Sequence, residues 1–185
     1  MSDVTVIIRV RNEERWIGHC IQSVLDNLYK PEIIILNNNS SDSSINIINS
    51  FVEDKSLNNN SSPNYTNIKI LNIDDYSPGK SLNKGFEVAS SENILVLSAH
   101  CVLVNFNMKK HIKDLENYVA IFGDQIPIWE GKKITKRYIW SHFKNHEEIN
   151  MYSELEKRYF LHNALCLYRR NFILENRFDE NLHTK

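Results

Sequence analysis

Apolar residues change period along this chain, and each change marks a new element. Val4 to Val10 is a β-branched apolar run, the composition of a strand buried on both faces. From Glu14 the period lengthens: Trp16, Ile17, Cys20, Ile21, Val24, Leu25 and Leu28 recur at helical spacing, which predicts strand, turn and helix in succession. Pro31 is expected to end that helix, and Glu32 to Leu36 reads as a second buried strand running into the polar cluster Asn37-Asn38-Asn39-Ser40-Ser41-Asp42. Ile45, Ile48 and Val52 then predict a second helix. Lys55 to Asn64 is rich in Asn and Ser, contains Pro63 and has too little apolar content to pack, so it is expected as a surface loop. Ile68 to Ile73 alternates like a strand and Lys80 to Ala89 is spaced like a helix. Asn93 to Leu97 is another short apolar run, ending at Ser98-Ala99-His100-Cys101. After Asn105 the pattern predicts a helix near Lys109 to Tyr118, a strand Val119 to Phe122 and a helical stretch within Thr135 to Phe160. A strand Ala164 to Tyr168 and a short helix Arg170 to Asn176 follow.

Strands alternating with helices imply an α/β fold, a mostly parallel central sheet with helices on both faces. The polar clusters fall at the carboxyl ends of strands, where open sheets of this kind bind ligands. A chain of 185 residues with 42% hydrophobic content can bury one core, so residues 1–185 are expected to form a single domain. The formal charge is −1, from 22 Lys and Arg against 23 Asp and Glu, which leaves no global footprint for nucleic acid or an anionic membrane. Phosphate binding must therefore be local. Met1 to Arg9 lacks the cleavage site of a signal peptide and no apolar stretch approaches ~18 residues, so a cytoplasmic location is expected. Cys20, Cys101 and Cys166 are odd in number and set among apolar residues, as reduced core thiols are. The sequons beginning at Asn60 and Asn64 would matter only in a secreted protein.

Four clusters carry candidate chemistry. In Arg9-Val10-Arg11-Asn12-Glu13-Glu14, Arg11 could lie on a base or reach a phosphate while Asn12 or Glu13 fixes the turn; equally, Asn12 could cap a helix in a solvated turn. The run 37–42 offers side chains able to bond a ligand, or a turn and helix cap of its own. Pro78 to Gly85 places Lys80 at a helix start beside a potential anion site, and also fits an ordinary helix start. Ser98-Ala99-His100-Cys101 puts an imidazole at a sheet edge, able to meet a divalent metal or a phosphate oxygen, although hard cations prefer carboxylates and a lone histidine is often structural. The chain has five glycines and neither G-x-G-x-x-G nor P-loop spacing, which argues against a dinucleotide dehydrogenase and a P-loop kinase. His142 and His146 have a zinc-compatible spacing, but no glutamate follows His142, and a solvent-facing helix with Glu147 and Glu148 near Lys144 is the preferred reading. Trp129, Tyr138 and Trp140 could wall an acceptor site or merely cover the sheet.

Taken in order, these clusters resemble the family 2 glycosyltransferases of the GT-A fold over nearly the whole chain. Val6 to Glu13 resembles the family's opening strand and turn, and Ile33 to Asp42 its second strand and base-reading loop. Asn37 and Asn38 stand where two aspartates are common, and Ser98 and His100 where the acidic metal motif is usual. A bacterial subset, some of it rhamnosyltransferases, is similar in having Ser-Ala-His. It also matches Gly79-Lys80-Ser81-Leu82-Asn83 and Gly123-Asp124-Gln125-Ile126-Pro127.

The resemblance implies a Rossmann-like nucleotide-binding half over 1–104 and the start of an acceptor-side half over 105–185. It implies inverting transfer of a sugar from a nucleoside-diphosphate sugar to a hydroxyl of a glycan or glycolipid, in surface polysaccharide synthesis. Lys80, Ser98 and His100 would contact the pyrophosphate or its Mn²⁺ or Mg²⁺ ion, with His100 as metal ligand. Arg9, Arg11, Asn12, Glu13, Asn37 and Asn39 would hold the nucleotide, and Gln125, His162 and Asn163 would face sugar or acceptor. In the subset, a segment like Phe160-Leu161-His162-Asn163-Ala164 leads through Arg169 and Arg170 to Phe178-Asp179-Glu180, then to an acidic pair holding the general base. That pair is expected after Lys185, with Asp124 the remaining carboxylate candidate. Two alternatives stay open: a nucleotide-sugar-binding module without catalysis, and a sugar nucleotidyltransferase. The latter should carry a glycine-rich loop after its first strand, where Arg11 to Arg15 has none.

Overall fold

A strand covered on both faces can be apolar throughout, and three strands of this chain come close to that limit. In the computed structural model, which describes residues 3–54, 67–133, 148–154, 157–159 and 161–182, β1 (Thr5–Val10), β2 (Glu32–Asn37) and β4 (Asn93–Ser98) form the centre of a six-stranded sheet. The order is β3-β2-β1-β4-β10-β5, with β3 (Asn67–Asn72), β10 (Leu165–Arg169) and β5 (Ala120–Phe122) completing it. β1 pairs in parallel with both β2 and β4, and β2 with β3, while β10 is antiparallel to both β4 and β5. The mostly parallel sheet matches the expectation from sequence.

Alternating side chains divide the core in two. Val6, Ile8, Val10, Ile33, Ile35, Leu95 and Leu97 face helices α1 (Ile17–Asn27) and α2 (Ser44–Val52), which contribute Ile17, Cys20, Ile21, Val24 and Ile48. α4 (Met108–Leu115) adds Leu115 to the same layer. Ile7, Ile34, Leu36, Ile94 and Val96 face the opposite layer, where α3 (Pro78–Val88) and α5 (Arg170–Glu175) contribute Leu82, Phe86 and Ile173. Gly85 lets α3 lie close to β1, since a Cβ there would sit 2.8 Å from Ile7 Cδ1.

At the amino end of the sheet, the nearly buried Glu32 is held by Thr5 Oγ1 at 2.5 Å, Lys69 Nζ at 2.7 Å and both the amide and hydroxyl of Ser90 at 2.8 Å. Burial alone would raise its pKa, but the bonds from Lys69, Thr5 and Ser90 outweigh it and hold the carboxyl below its ordinary value.

Some element expectations need correction. The first helix starts at Ile17 rather than Glu14, because Trp16 and Ile17 both donate to Glu13 O and the amides of residues 12–14 bond elsewhere. It ends at Asn27, ahead of Pro31, and Lys30 turns through a left-handed backbone at φ 47°. The helix after Asn105 stops at Leu115, and Asn117 and Tyr118 close tighter turns onto Asp114 and Leu115. Most of 135–160, where a helical stretch is expected, lies outside the described residues; within the part described, β8 (Tyr152–Ser153) pairs with β9 (Arg158–Tyr159), joined by edge-on Tyr152 and Tyr159 rings, and before it an analogous hairpin links β6 (Ile128–Trp129) and β7 (Lys132–Lys133). Lys55 to Asn64, Tyr138, Trp140, His142, Lys144, His146 and Glu147 lie outside the described residues, as does the side chain of Trp129.

Candidate functional site

The strand order reverses between β1 and β4, and a doubly wound sheet opens a crevice at such a point. The parallel register brings Val10 level with Asn37 and Arg9 level with Ser98, so the loops leaving β1, β2 and β4 meet at one edge. There Arg9, Val10, Arg11, Glu13, Asn38, Tyr76, Ser98, Ala99 and His100 line an open cleft of about 230 Å³.

Two of these loops are stitched together. The amides of Asn12, Glu13 and Glu14 donate to Ser40 Oγ (3.1 Å), Ser44 Oγ (2.7 Å) and Asp42 Oδ2 (3.0 Å). In return the amides of Ser41 and Ser43 donate to Asn12 Oδ1 and Glu14 Oε2, each at 2.8 Å. Asn12 (φ 55°) and Asn39 (φ 48°) take left-handed backbones, which asparagine tolerates better than most residues. Asn12 is therefore a strut between loops and not a helix cap, since Trp16 occupies the cap position. Asn37 donates from Nδ2 to Asn72 Oδ1 at 2.8 Å and accepts from the Ser40 amide at 3.1 Å. An aspartate could do only the second, so the amide welds the ends of β2 and β3.

The turn after β4 is fixed from below and from the side. Cys101 N–H donates to Ser98 O at 2.9 Å, Ser98 N–H donates to Ala164 O at 2.9 Å, and buried Ala99 anchors the turn in the core. His100 stands exposed above it, with Nδ1 3.1 Å from Glu13 Oε1. A carboxylate at Nδ1 fixes the ring and leaves Nε2 as the atom with which His100 can meet a ligand or a cation. Beneath the turn, burial and the Glu13 carboxylate push the Cys101 thiol up to about 11, and burial pushes Cys166 to about 12. Cys20 is raised further by burial and by neighbouring Cys101 and Glu13, so all three remain protonated thiols at neutral pH.

The other expected site residues fall elsewhere. Lys80 places its ammonium 2.6 Å from Asp75 Oδ2, its amide is capped by Ser77 Oγ at 3.1 Å, and it does not line the cleft. Asn39 is exposed beside the stitched loops. Gln125 Nε2 and the Ala164 amide both donate to His162 Nδ1, which leaves the neutral ring's proton on Nε2; burial lowers the pKa of this histidine. Asn163 Oδ1 accepts from the Tyr168 hydroxyl. Gln125, His162 and Asn163 thus gather at the start of β10, tied to the turn after β4 through Ala164. Asp124 is exposed and caps the Gln125 amide at 2.8 Å. Among the described residues no group of three or more His, Cys, Asp or Glu is placed to hold a metal.

Sequence reasoning picked out the run 37–42 but not its bonds to residues 12–14, and it missed Tyr76 and Ser44. Tyr76 follows the carboxyl end of β3, the position type that flags the other cleft residues. The serines depend on pairings between loops that spacing does not reveal.

Residues 5–177 match the model of the family described as glycosyl transferase family 2. No curated protein matches. Among solved structures, the chain resembles TarS residues 1–349 of S. aureus (TM-score 0.65, 18% identity, covering 98% of this chain and 52% of that one). It resembles the same fragment in complex with UDP-GlcNAc (TM-score 0.68, 18% identity, 97% and 49%). It also resembles the mannosyltransferase PcManGT of Pyrobaculum calidifontis in complex with GDP-Man and Mn²⁺ (TM-score 0.69, 14% identity, 98% and 48%). The chain spans about half the length of these structures, and the shared architecture is the GT-A fold.

Proposed function

Because the chain belongs to glycosyl transferase family 2, we propose that its cleft binds the nucleotide part of a nucleoside-diphosphate sugar and that the protein transfers the sugar, with inversion, to an acceptor hydroxyl. The observation that carries this reading is the convergence of Arg9, Arg11, Ser98 and the Glu13–His100 pair on one cleft at the strand-order reversal. A diphosphate needs positive charge and directed donors, which the two guanidiniums and the Ser98 hydroxyl supply. Asn38 and Tyr76 suit the nucleoside, offering an amide for a base edge and a ring for its face. Asn37 acts indirectly, through the bond to Asn72 that shapes the loop, and the left-handed Asn39 does the same for the turn. Lys80 reaches phosphate only by leaving Asp75.

A divalent cation here would be held by His100 Nε2, the atom that the Glu13 contact leaves towards the cleft, together with oxygens of the diphosphate. When bound, such a cation neutralises charge developing on the leaving diphosphate. The chain's own residues hold the donor and leave the anomeric carbon towards β10, where Gln125, Asn163 and His162 suit sugar hydroxyls. The acceptor we assign is a glycan or glycolipid of surface polysaccharide synthesis. We assign residues 1–104 to the donor side and 105–185 to the acceptor side. No helix among the described residues is long and apolar enough to cross a membrane.

Calorimetric titration with UDP-N-acetylglucosamine, GDP-mannose and dTDP sugars, with and without Mn²⁺, tests the donor site. Product analysis by NMR reads the anomeric configuration. Binding of one donor class and an inverted product are expected; absence of binding overturns the reading, and binding without transfer by the full protein identifies a non-catalytic module.

A further inference from the structure

Ser44 opens α2 and is fully buried, and its Oγ accepts from the amide of Glu13 at 2.7 Å. A serine at a helix start commonly caps its own helix, but here Ser43 makes no side-chain cap and the hydroxyl of Ser44 serves a loop on another element. The Ser44 amide donates to Asp42 Oδ1 at 3.0 Å, and Asp42 Oδ2 takes the Glu14 amide at the same distance.

Glu13 is thereby pinned on both sides. Its carbonyl accepts from the amides of Trp16 and Ile17, each at 2.9 Å, so with the Ser44 bond both peptide groups flanking its Cα are held and the direction of its side chain follows. That side chain carries Oε1 to 3.1 Å from His100 Nδ1, and both residues line the cleft. The backbone around His100 is anchored independently, since the Cys20 thiol and the Cys101 amide both donate to Ser98 O, at 3.6 and 2.9 Å. The His100 side chain is 58% exposed against 23% for Glu13, so the orientation of the ring depends on the carboxylate more than on packing of its own.

We propose that Ser44 is a positioning residue for the donor site: through the Glu13 amide it sets the carboxylate that orients His100, and with it the Nε2 atom turned to the cleft. This rests on the donor-binding reading above. Ser44 itself touches neither nucleotide nor sugar.

The test uses the full protein. Ring nitrogen NMR of His100 without ligand, at about pH 8 where an ordinary imidazole is neutral, reads its tautomer. The parent is expected to carry the proton on Nδ1, facing Glu13, and Ser44→Ala to show a mixture of the two tautomers. Thr5→Val, which takes a buried hydroxyl from Glu32 at the opposite end of the sheet, should lose stability and keep the parent spectrum. In calorimetry with UDP-N-acetylglucosamine and GDP-mannose in the presence of Mn²⁺, Ser44→Ala should weaken the bound donor by ~3- to 10-fold. In a His100→Ala background the same change should alter affinity by less than about twofold, because a residue acting through another adds nothing once that other is removed. A parent-like tautomer in Ser44→Ala, an equal loss of affinity with and without the His100 ring, or a tautomer mixture in Thr5→Val overturns the proposal while donor binding stands. Asp42→Asn leaves the Glu14 and Ser44 amides one carbonyl oxygen between them and should give a milder mixture; if Ser44→Ala does not fold, a parent-like spectrum in Asp42→Asn overturns the proposal. A parent protein that binds neither nucleotide sugar overturns the donor reading and the role of Ser44 together.

Discussion

His100 meets Glu13 through Nδ1, and that contact decides which atom the ring can turn to the cleft. A hydrogen bond to a charged group contributes roughly 1.5–3 kcal/mol, so His100→Ala is expected to weaken donor binding by about 10- to 100-fold. Calorimetry with and without Mn²⁺ checks this, and unchanged affinity with unchanged metal dependence removes His100 from the site. Asn37 supports the loop from beneath. Asn37→Asp would set a carboxylate against Asn72 Oδ1, with an expected loss of stability of ~1–3 kcal/mol in thermal or denaturant unfolding. His162 carries a pH signature. Burial lowers its folded-state pKa, so its contribution to stability is fully present above the ordinary value near ~6.5 and is lost as pH falls through the lowered value. Melting temperatures should therefore drop between about pH 7 and pH 5 less steeply in His162→Asn than in the parent; identical slopes refute this.

At the scale of elements, β2 and α3 each do more than their apolar pattern announces. β2 begins with Glu32, whose carboxylate ties β1, β3 and the segment after α3 together through Thr5, Lys69 and Ser90. Glu32→Ala leaves these groups without their carboxylate partner and is expected to cost roughly 2–4 kcal/mol. The bonds hold the Glu32 pKa low, so its stabilisation is present above the ordinary carboxylate range and disappears as pH falls through the lowered value. Acid unfolding of the parent should consequently be steeper than that of Glu32→Gln. α3 packs so closely on β1 that Gly85→Ala would crowd Ile7, at an expected cost of ~1–3 kcal/mol despite alanine's better helix propensity. Its Asn83 and Glu87 bond Phe178, Glu180 and Arg177, which the helix-start reading of Pro78 to Gly85 does not foresee.

Over the whole molecule, one six-stranded sheet takes strands from both 5–98 and 120–169. β10 lies antiparallel between β4 and β5, and its buried Leu167 packs in the layer of α1 and α2. Leu167→Ala is expected to cost ~2–5 kcal/mol and to lower one melting transition shared by residues 5–98 and 120–169. The sequence by itself determined the alternation of strands and helices, the mostly parallel sheet and the residues that trail from its central strands. Arg9, Arg11, Glu13, Ser98 and His100 are legible because local periodicity sets where each strand ends, and parallel strands end on one side. The antiparallel seat of β10, the stitching of residues 12–14 to 40–44, the amide pair of Asn37 with Asn72 and the bonds of Asn83 to Phe178 and Glu180 were decided only by tertiary structure. Each depends on partners that are distant in the chain, whose orientation follows from closing the sheet and packing its two layers, and no local spacing encodes which polar group will meet which.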